Sequence, residues 1–159
     1  MAIANFAAGC FWGVEAAFAN LSGVNKTTVG YQNGHTTNPT YQEVCTDKTG
    51  HAEAIQIEFD PEQISYNELL ETFWAIHDPT TLNQQGPDEG RQYRSAIFYH
   101  DAAQKQAAEK SRTIAQKDWQ QPIVTEITEA SIFYPAEEYH QRYFERNAIS
   151  CHIPTKKTH

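Results

Sequence analysis

The chain has 159 residues, 40% of them hydrophobic and 20% charged, with a formal net charge of −8. That is the size of one ordinary domain with enough apolar material for a core, which argues against disorder. The acidic balance argues against a nucleic-acid partner, because neutralising phosphates takes clustered Lys and Arg. No stretch approaches the roughly 20 apolar residues of a membrane span.

The opening residues, Met1-Ala2-Ile3-Ala4-Asn5-Phe6, lack the basic region of a secretory signal. Three cysteines, Cys10, Cys45 and Cys151, form no CxxC pair, so neither a zinc knuckle nor a thioredoxin-type motif is present. An odd number leaves at least one thiol free or transiently paired. That suits a reducing compartment, the cytoplasm, better than a secreted disulfide scaffold.

Residues 2–8 read as a short apolar strand. From Cys10 the period changes, and Phe11, Val14, Ala17, Phe18 and Leu21 recur at helical spacing until Gly23 stops them. A second strand over 24–31 and a polar loop over 33–40 follow. Along 51–59, Ile55, Ile57 and Phe59 alternate with Gln56 and Glu58, the pattern of a half-buried strand. Ser65 with Glu68 three residues later is a capping box that opens a helix over about 66–77. A loop over 80–92, a strand at about 93–100 and a helix from Asp101 to about Trp119 come next. Strand-like runs at 123–128 and 131–134 precede a last helix near 137–147, and the tail is polar. The order predicts an α+β domain of the ferredoxin-like, split βαβ type, with helices packed on a mixed sheet.

Cys10 lies where a strand ends and a helix begins. Free N–H groups and the positive end of the helix dipole favour an anion there, which lowers a thiol's pKa and makes it nucleophilic. The other reading of Cys10 is a small buried hydrophobe. Phe11 and Trp12 are either core or the wall of an apolar pocket beside the sulfur. Glu53 shares a parity with Ile55, Ile57 and Phe59. It either points inward, where desolvation keeps a carboxyl protonated, or sits at the wet end of its strand. Cys45 is expected to be a buried structural cysteine.

At these residues the sequence resembles the A-type peptide-methionine (S)-S-oxide reductases over nearly its whole length. Gly9-Cys10-Phe11-Trp12-Gly13 is similar to that family's nucleophile motif, and Gly50-His51-Ala52-Glu53-Ala54 to the block carrying its acid. The runs Asn38 to Cys45, Gly86 to Ser95 and Glu138-Tyr139-His140-Gln141 resemble further blocks in the same order. The resemblance implies that Cys10 attacks a sulfoxide sulfur while protonated Glu53 donates to the oxygen. It also implies that Tyr41 and Tyr93 hydrogen-bond that oxygen, that Asp88 supports the polar network, and that Phe11 and Trp12 hold the substrate's methyl group. Methionine leaves and Cys10 becomes a sulfenic acid. Residues 1–146 are then the catalytic unit. The tail, 147–159, carries Cys151, the thiol implied to condense with the sulfenic acid before thioredoxin reopens the disulfide. The tail departs from the family pattern: Ala148 and Ile149-Ser150 stand where it often has Pro and a Gly-Tyr pair.

The implied substrate is methionine sulfoxide, free or in peptides and proteins, and no cofactor is expected. Nor is a metal: His51-Ala52-Glu53 matches half of a zinc-deaminase signature, but its P-C-x-x-C is missing. A monomer is the simplest expected state. A cysteine hydrolase pairing Cys10 with a histidine, and a non-catalytic binder of oxidised methionine, are the rival classes.

Overall fold

The computed structural model describes residues 1–147 and the side chains of residues 1–145. In chain order the elements are β1 (Ala2–Ala8), α1 (Phe11–Ala19), β2 (Val24–Gln32), α2 (Tyr41–Cys45), β3 (Ala52–Phe59) and α3 (Tyr66–Ala75). Then come β4 (Gln84–Gln85), β5 (Asp88–Glu89), β6 (Ser95–Tyr99), α4 (Ala102–Ala115), β7 (Glu126–Glu129), β8 (Tyr134–Pro135) and α5 (Tyr143–Asn147). Among the described residues, six of the strands form one sheet in the order β7-β6-β1-β3-β2-β8, and β4 with β5 makes a separate small hairpin. The pair β6–β7 is parallel; every other neighbouring pair in the sheet is antiparallel. The fold is thus α+β with a mixed sheet, and β3 lies between β1 and β2.

The period-2 pattern decides what each face of the sheet does. Phe6, Ile55, Ile57 and Ile97 face the helices α1, α3 and α4, whose Val14, Phe18, Leu69, Leu70, Phe73 and Ala108 complete the main core. Phe6 packs on Phe18 and Phe73 with ring centroids 5.6 and 5.2 Å away. On the opposite face a buried polar chain holds the sheet to the later loops. The Asn5 amide donates to Gln32 Oε1 at 2.8 Å, Gln32 donates to the Ser131 carbonyl at 2.9 Å, and His100 Nε2 meets Asn5 Oδ1 at 2.8 Å. Buried amides are tolerated there because each finds partners.

Ser65 and Glu68 form the capping box that their spacing predicts. Several elements differ from expectation, and the β4–β5 hairpin and a 3₁₀ turn at Arg91–Tyr93 form where a loop over 80–92 is predicted. The helix α2 appears just after the predicted loop over 33–40, where no element is predicted, opened by its own capping box of Thr40 and Glu43. The α-helix after Asp101 ends at Ala115, and a 3₁₀ turn covers Gln116–Asp118. The predicted last helix is broken into a 3₁₀ turn (Glu138–His140) and α5, with Arg142 at φ +52 between them. Tertiary bonds cause the break. Gln141 trades two hydrogen bonds with the Val29 backbone (2.9 and 2.8 Å), and the Arg142 amide donates to Glu15 at 2.7 Å. No helix among the described residues is long and apolar enough to cross a membrane.

Candidate active site

Gly9 has φ +98, and a Cβ there would stand 2.8 Å from the Gln85 side chain. Glycine therefore makes the turn from β1 into α1 and lets the β4–β5 hairpin pack against it. That hairpin carries Asp88, close enough to act electrostatically on Cys10, Glu53 and Tyr93. Cys10 caps α1: its carbonyl accepts from the Val14 amide at 3.3 Å, and the amides of Trp12 and Gly13 hydrogen-bond its sulfur.

These amides do not win. Burial, reinforced by the charge of Glu53, pushes the Cys10 thiol up to about 12. The expected depression at a helix start is overturned, because desolvation of the sulfur outweighs two backbone donors. At rest the sulfur is a thiol.

Glu53 points inward, as its strand parity predicts, and is 1% exposed. Its Oε1 accepts from the Phe11 backbone amide at 3.2 Å and its Oε2 from the Gln92 side-chain amide at 3.2 Å. Burial raises this carboxyl to about 7, with Asp88 adding to the rise and the two donors restraining it. It is poised to exchange a proton near neutral pH.

Three phenols lie within electrostatic reach of Glu53: Tyr31 on β2, Tyr41 at the start of α2 and Tyr93 in the 3₁₀ turn Arg91–Tyr93. Burial, above all, raises each of them, so all three stay protonated donors. Phe11 is 1% exposed and backs the site, its ring packed against Tyr31, Tyr41 and His140. Trp12 is half-buried at the rim. Its indole N–H donates to His140 Nδ1 at 2.9 Å, and its face stacks on Tyr143 with centroids 3.9 Å apart. A cavity of about 410 Å³ adjoins Trp12 on the α1–α5 side, but neither Cys10 nor Glu53 lines it.

Cys10, Phe11, Trp12, Tyr41, Glu53, Asp88 and Tyr93 therefore gather around the start of α1. Cys151 lies outside the described residues. Sequence reasoning missed several members of the group. Gln92 holds Glu53. Glu137 accepts from the Tyr31 hydroxyl at 2.8 Å and the Tyr41 amide at 2.9 Å, and so fixes two phenols. His140 orients Trp12. Cys45 is exposed, not buried, since α2 is a short surface helix. Among the described residues no group of three or more His, Cys, Asp or Glu side chains is placed to hold a metal ion.

Residues 2–159 match the family model described as peptide methionine sulfoxide reductase. The chain belongs to the peptide methionine sulfoxide reductase family. It is 53% identical to the peptide methionine sulfoxide reductase MsrA of Acidobacterium capsulatum over 156 residues, covering 96% of this chain and 100% of that relative. Reduced Mxr1 from Saccharomyces cerevisiae superposes with a TM-score of 0.90 at 36% identity, covering 96% of this chain and 92% of that one. Mxr1 in complex with Trx2 matches with a TM-score of 0.66 at 29% identity, covering 97% and 86%. Membership makes the chain an oxidoreductase of the methionine sulfoxide reductase type.

Proposed function

We propose that the chain reduces methionine S-sulfoxide, free or in peptides and proteins, with Cys10 as nucleophile and Glu53 as the acid that serves the departing oxygen. The observation that carries this reading is the burial of Glu53 beside Cys10, its carboxylate tied to the amide of the residue after the nucleophile.

Glu53 is raised to about 7, and Cys10, by burial and then by the Glu53 charge, to about 12, so between those values the two together hold one proton. The reactive arrangement puts that proton on Glu53 and leaves the sulfur bare. A bound sulfoxide favours it, since its positive sulfur faces Cys10 and its negative oxygen faces the carboxyl. Cys10 attacks the sulfoxide sulfur while Glu53 protonates the oxygen, and Tyr41 and Tyr93 donate to the same oxygen. The oxygen ends on Cys10 as a sulfenic acid, two electrons pass to the substrate sulfur, and methionine leaves. Asp88 supports the polar network, and Trp12, backed by Phe11, holds the methyl group.

Cys151, in the segment 147–159, then condenses with the sulfenic acid, releasing water and forming a disulfide. Thioredoxin is the reductant of that disulfide, a role supported by the yeast relative's complex with Trx2. The reducing cytoplasm is the compartment this cycle suits, and the working unit is a monomer.

A cysteine hydrolase needs a histidine on the nucleophile. His77 is bonded to the Phe73 carbonyl and Ser95, His51 to Gly34 and Thr36, and His140 to Trp12. The group beside Cys10 is a carboxyl instead. Turnover of the separated sulfoxide epimers with thioredoxin and its reductase tests the proposal. The S epimer is expected to be consumed and the R epimer spared, with activity abolished by Cys10→Ser. Equal turnover of both epimers, or an active Cys10→Ser variant, overturns it.

A further inference from the structure

One exposed thiol, Cys45, and one buried amide, Gln92, have no part in the reaction described above, yet the amide is bonded to its acid and the thiol to the amide. Gln92 is 4% exposed. Its side-chain N–H group reaches Glu53 Oε2 at 3.2 Å and Cys45 Sγ at 3.5 Å. On its other side Cys45 is hydrogen-bonded to the Tyr41 hydroxyl. A continuous chain of side chains, Tyr41–Cys45–Gln92–Glu53, thus joins the proposed oxygen donor to the proposed acid.

Its backbone supports are built to keep that chain in register. The 3₁₀ turn carrying Gln92 is closed by the Tyr93 amide bonding the Gly90 carbonyl at 3.0 Å. The next residue along from Gly90 clamps the turn to the end of α2. The Arg91 amide donates to Asp47 Oδ1 at 2.9 Å, and its guanidinium donates to the Asp47 carbonyl at 2.6 Å. Cys45, two residues before Asp47, therefore cannot move independently of Gln92.

We propose that Gln92 is a positioning residue for the acid, holding Glu53 Oε2 while the Phe11 amide holds Oε1, and that Cys45 fixes the Gln92 amide in that pose. The inference rests on Glu53 being the acid. A carboxyl group can rotate about its last bond, and two donors on opposite oxygens stop that rotation. The oxygen that must meet the sulfoxide is then presented in one place, at no cost when substrate arrives. Both donors also favour the ionised carboxylate, opposing the burial that raises it. Charged and titratable groups face Glu53 from every side: Cys10 from the start of α1, Asp88 from β5, Tyr31 from β2, Tyr41 from α2 and Tyr93 from the turn. Among the described residues, Gln92 is the one neutral side chain bonded to the carboxylate. Removing it changes the hydrogen bonding without changing the charge around the site.

The test is the pH dependence of the second-order rate constant for single-turnover reduction, measured on the intact chain, beside a ¹³C titration of the Glu53 carboxyl by NMR. Gln92→Met keeps the length and loses the donor. Its rate at pH 6 is expected to fall about tenfold, a part of the roughly 10²–10⁴ that a positioned acid contributes. The midpoint near 7 moves to higher pH in both measurements, because the ionised form has lost a partner. Gln92→Asn, too short to reach Glu53, is expected to do the same and covers the case in which Met disturbs packing. Cys45→Ala shifts the midpoint in the same direction by less, and Cys45→Ser, which keeps an acceptor, restores it.

A lowered rate with an unmoved midpoint in both Gln92 variants reduces Gln92 to packing and overturns the inference. An unmoved midpoint in Cys45→Ala overturns the part given to Cys45. The parent reading fails separately: if the midpoint near 7 survives in Glu53→Gln, the group titrating there is not Glu53.

Discussion

The backbone amide of Phe11 donates to Glu53 Oε1 at 3.2 Å, across 42 residues of chain. Phe11, the residue after Cys10, therefore also holds Glu53, and the start of α1 cannot shift relative to β3 without breaking that bond. A nine-residue helix with no charged group in its first turn thus holds a thiol and a carboxyl at one end. Its N–H groups are shared between a sulfur and a carboxylate, with none left to a capping side chain.

The pair Cys10 and Glu53 predicts the pH behaviour of the chemical step. Above about 7 the pair has lost one of its two protons, and only then is a bare sulfur available beside a protonated carboxyl. The single-turnover rate constant should rise as pH climbs through about 7 and then level. Glu53→Gln should slow the step by roughly 10²–10⁴ and remove the midpoint near 7. Rapid-quench measurement of methionine from pH 5 to 9 checks both.

The two described thiols should differ in their reaction with iodoacetamide. Cys45 is exposed, whereas Cys10 is pushed up to about 12 by its burial and by Glu53, so at pH 8 almost none of it is thiolate. Mass spectrometry should find Cys45 labelled first. Glu53→Gln removes the charge that helps hold the Cys10 proton and should speed labelling of Cys10 alone.

His77 predicts acid sensitivity of the fold. It is buried between the Phe73 carbonyl (2.7 Å) and the Ser95 hydroxyl (2.7 Å), and burial lowers it from 6.5 to about 4. The unfolded chain takes up the proton first, so the neutral imidazole favours the folded state above 6.5, and that advantage is lost as pH falls towards 4. The loss is on the order of 3 kcal/mol, taking about 1.4 kcal/mol for each tenfold change. Urea unfolding at pH 7 and pH 4 should show a smaller difference for His77→Gln than for the parent chain.

Gly9→Ala should cost about 1–3 kcal/mol of stability. It strains a residue at φ +98 and drives a methyl group into Gln85. The β4–β5 hairpin must give way, and Asp88 moves with it. The thermal midpoint and the single-turnover rate should therefore fall together, while Gly86→Ala, which strains the hairpin turn at φ +57 but has nothing within 4 Å of its added Cβ, should lower both by less.

The sequence made some of this site legible and hid the rest for identifiable reasons. Glu53 was half legible: its parity with Ile55 and Ile57 pointed inward, but only the structure, which buries Ala52 to Ile55 without a break, rules out the wet end of the strand. Cys10 was readable as a strand-to-helix junction, but its ionisation was not. Whether two amides outweigh burial depends on how deeply the sulfur sits, which no spacing encodes. Gln92 lies in a 3₁₀ turn with no period of its own, and Glu137 and His140 reach the site from more than a hundred residues away in sequence. The exposure of Cys45 was within reach: Thr40-Tyr41-Gln42-Glu43 is a capping-box spacing that announces the short helix α2. The break in the last helix was not, because the bonds that bend it come from Glu15 and Val29.

The central claim is that the oxygen of the substrate passes to Cys10. The most direct measurement is one turnover of methionine S-sulfoxide by Cys151→Ser without any reductant, followed by mass spectrometry of the peptides containing Cys10 and Cys45. The account predicts about one methionine released per chain and one oxygen retained on Cys10, trapped as a sulfenic acid. Release of methionine with Cys10 unmodified, or with the oxygen on Cys45, would contradict it.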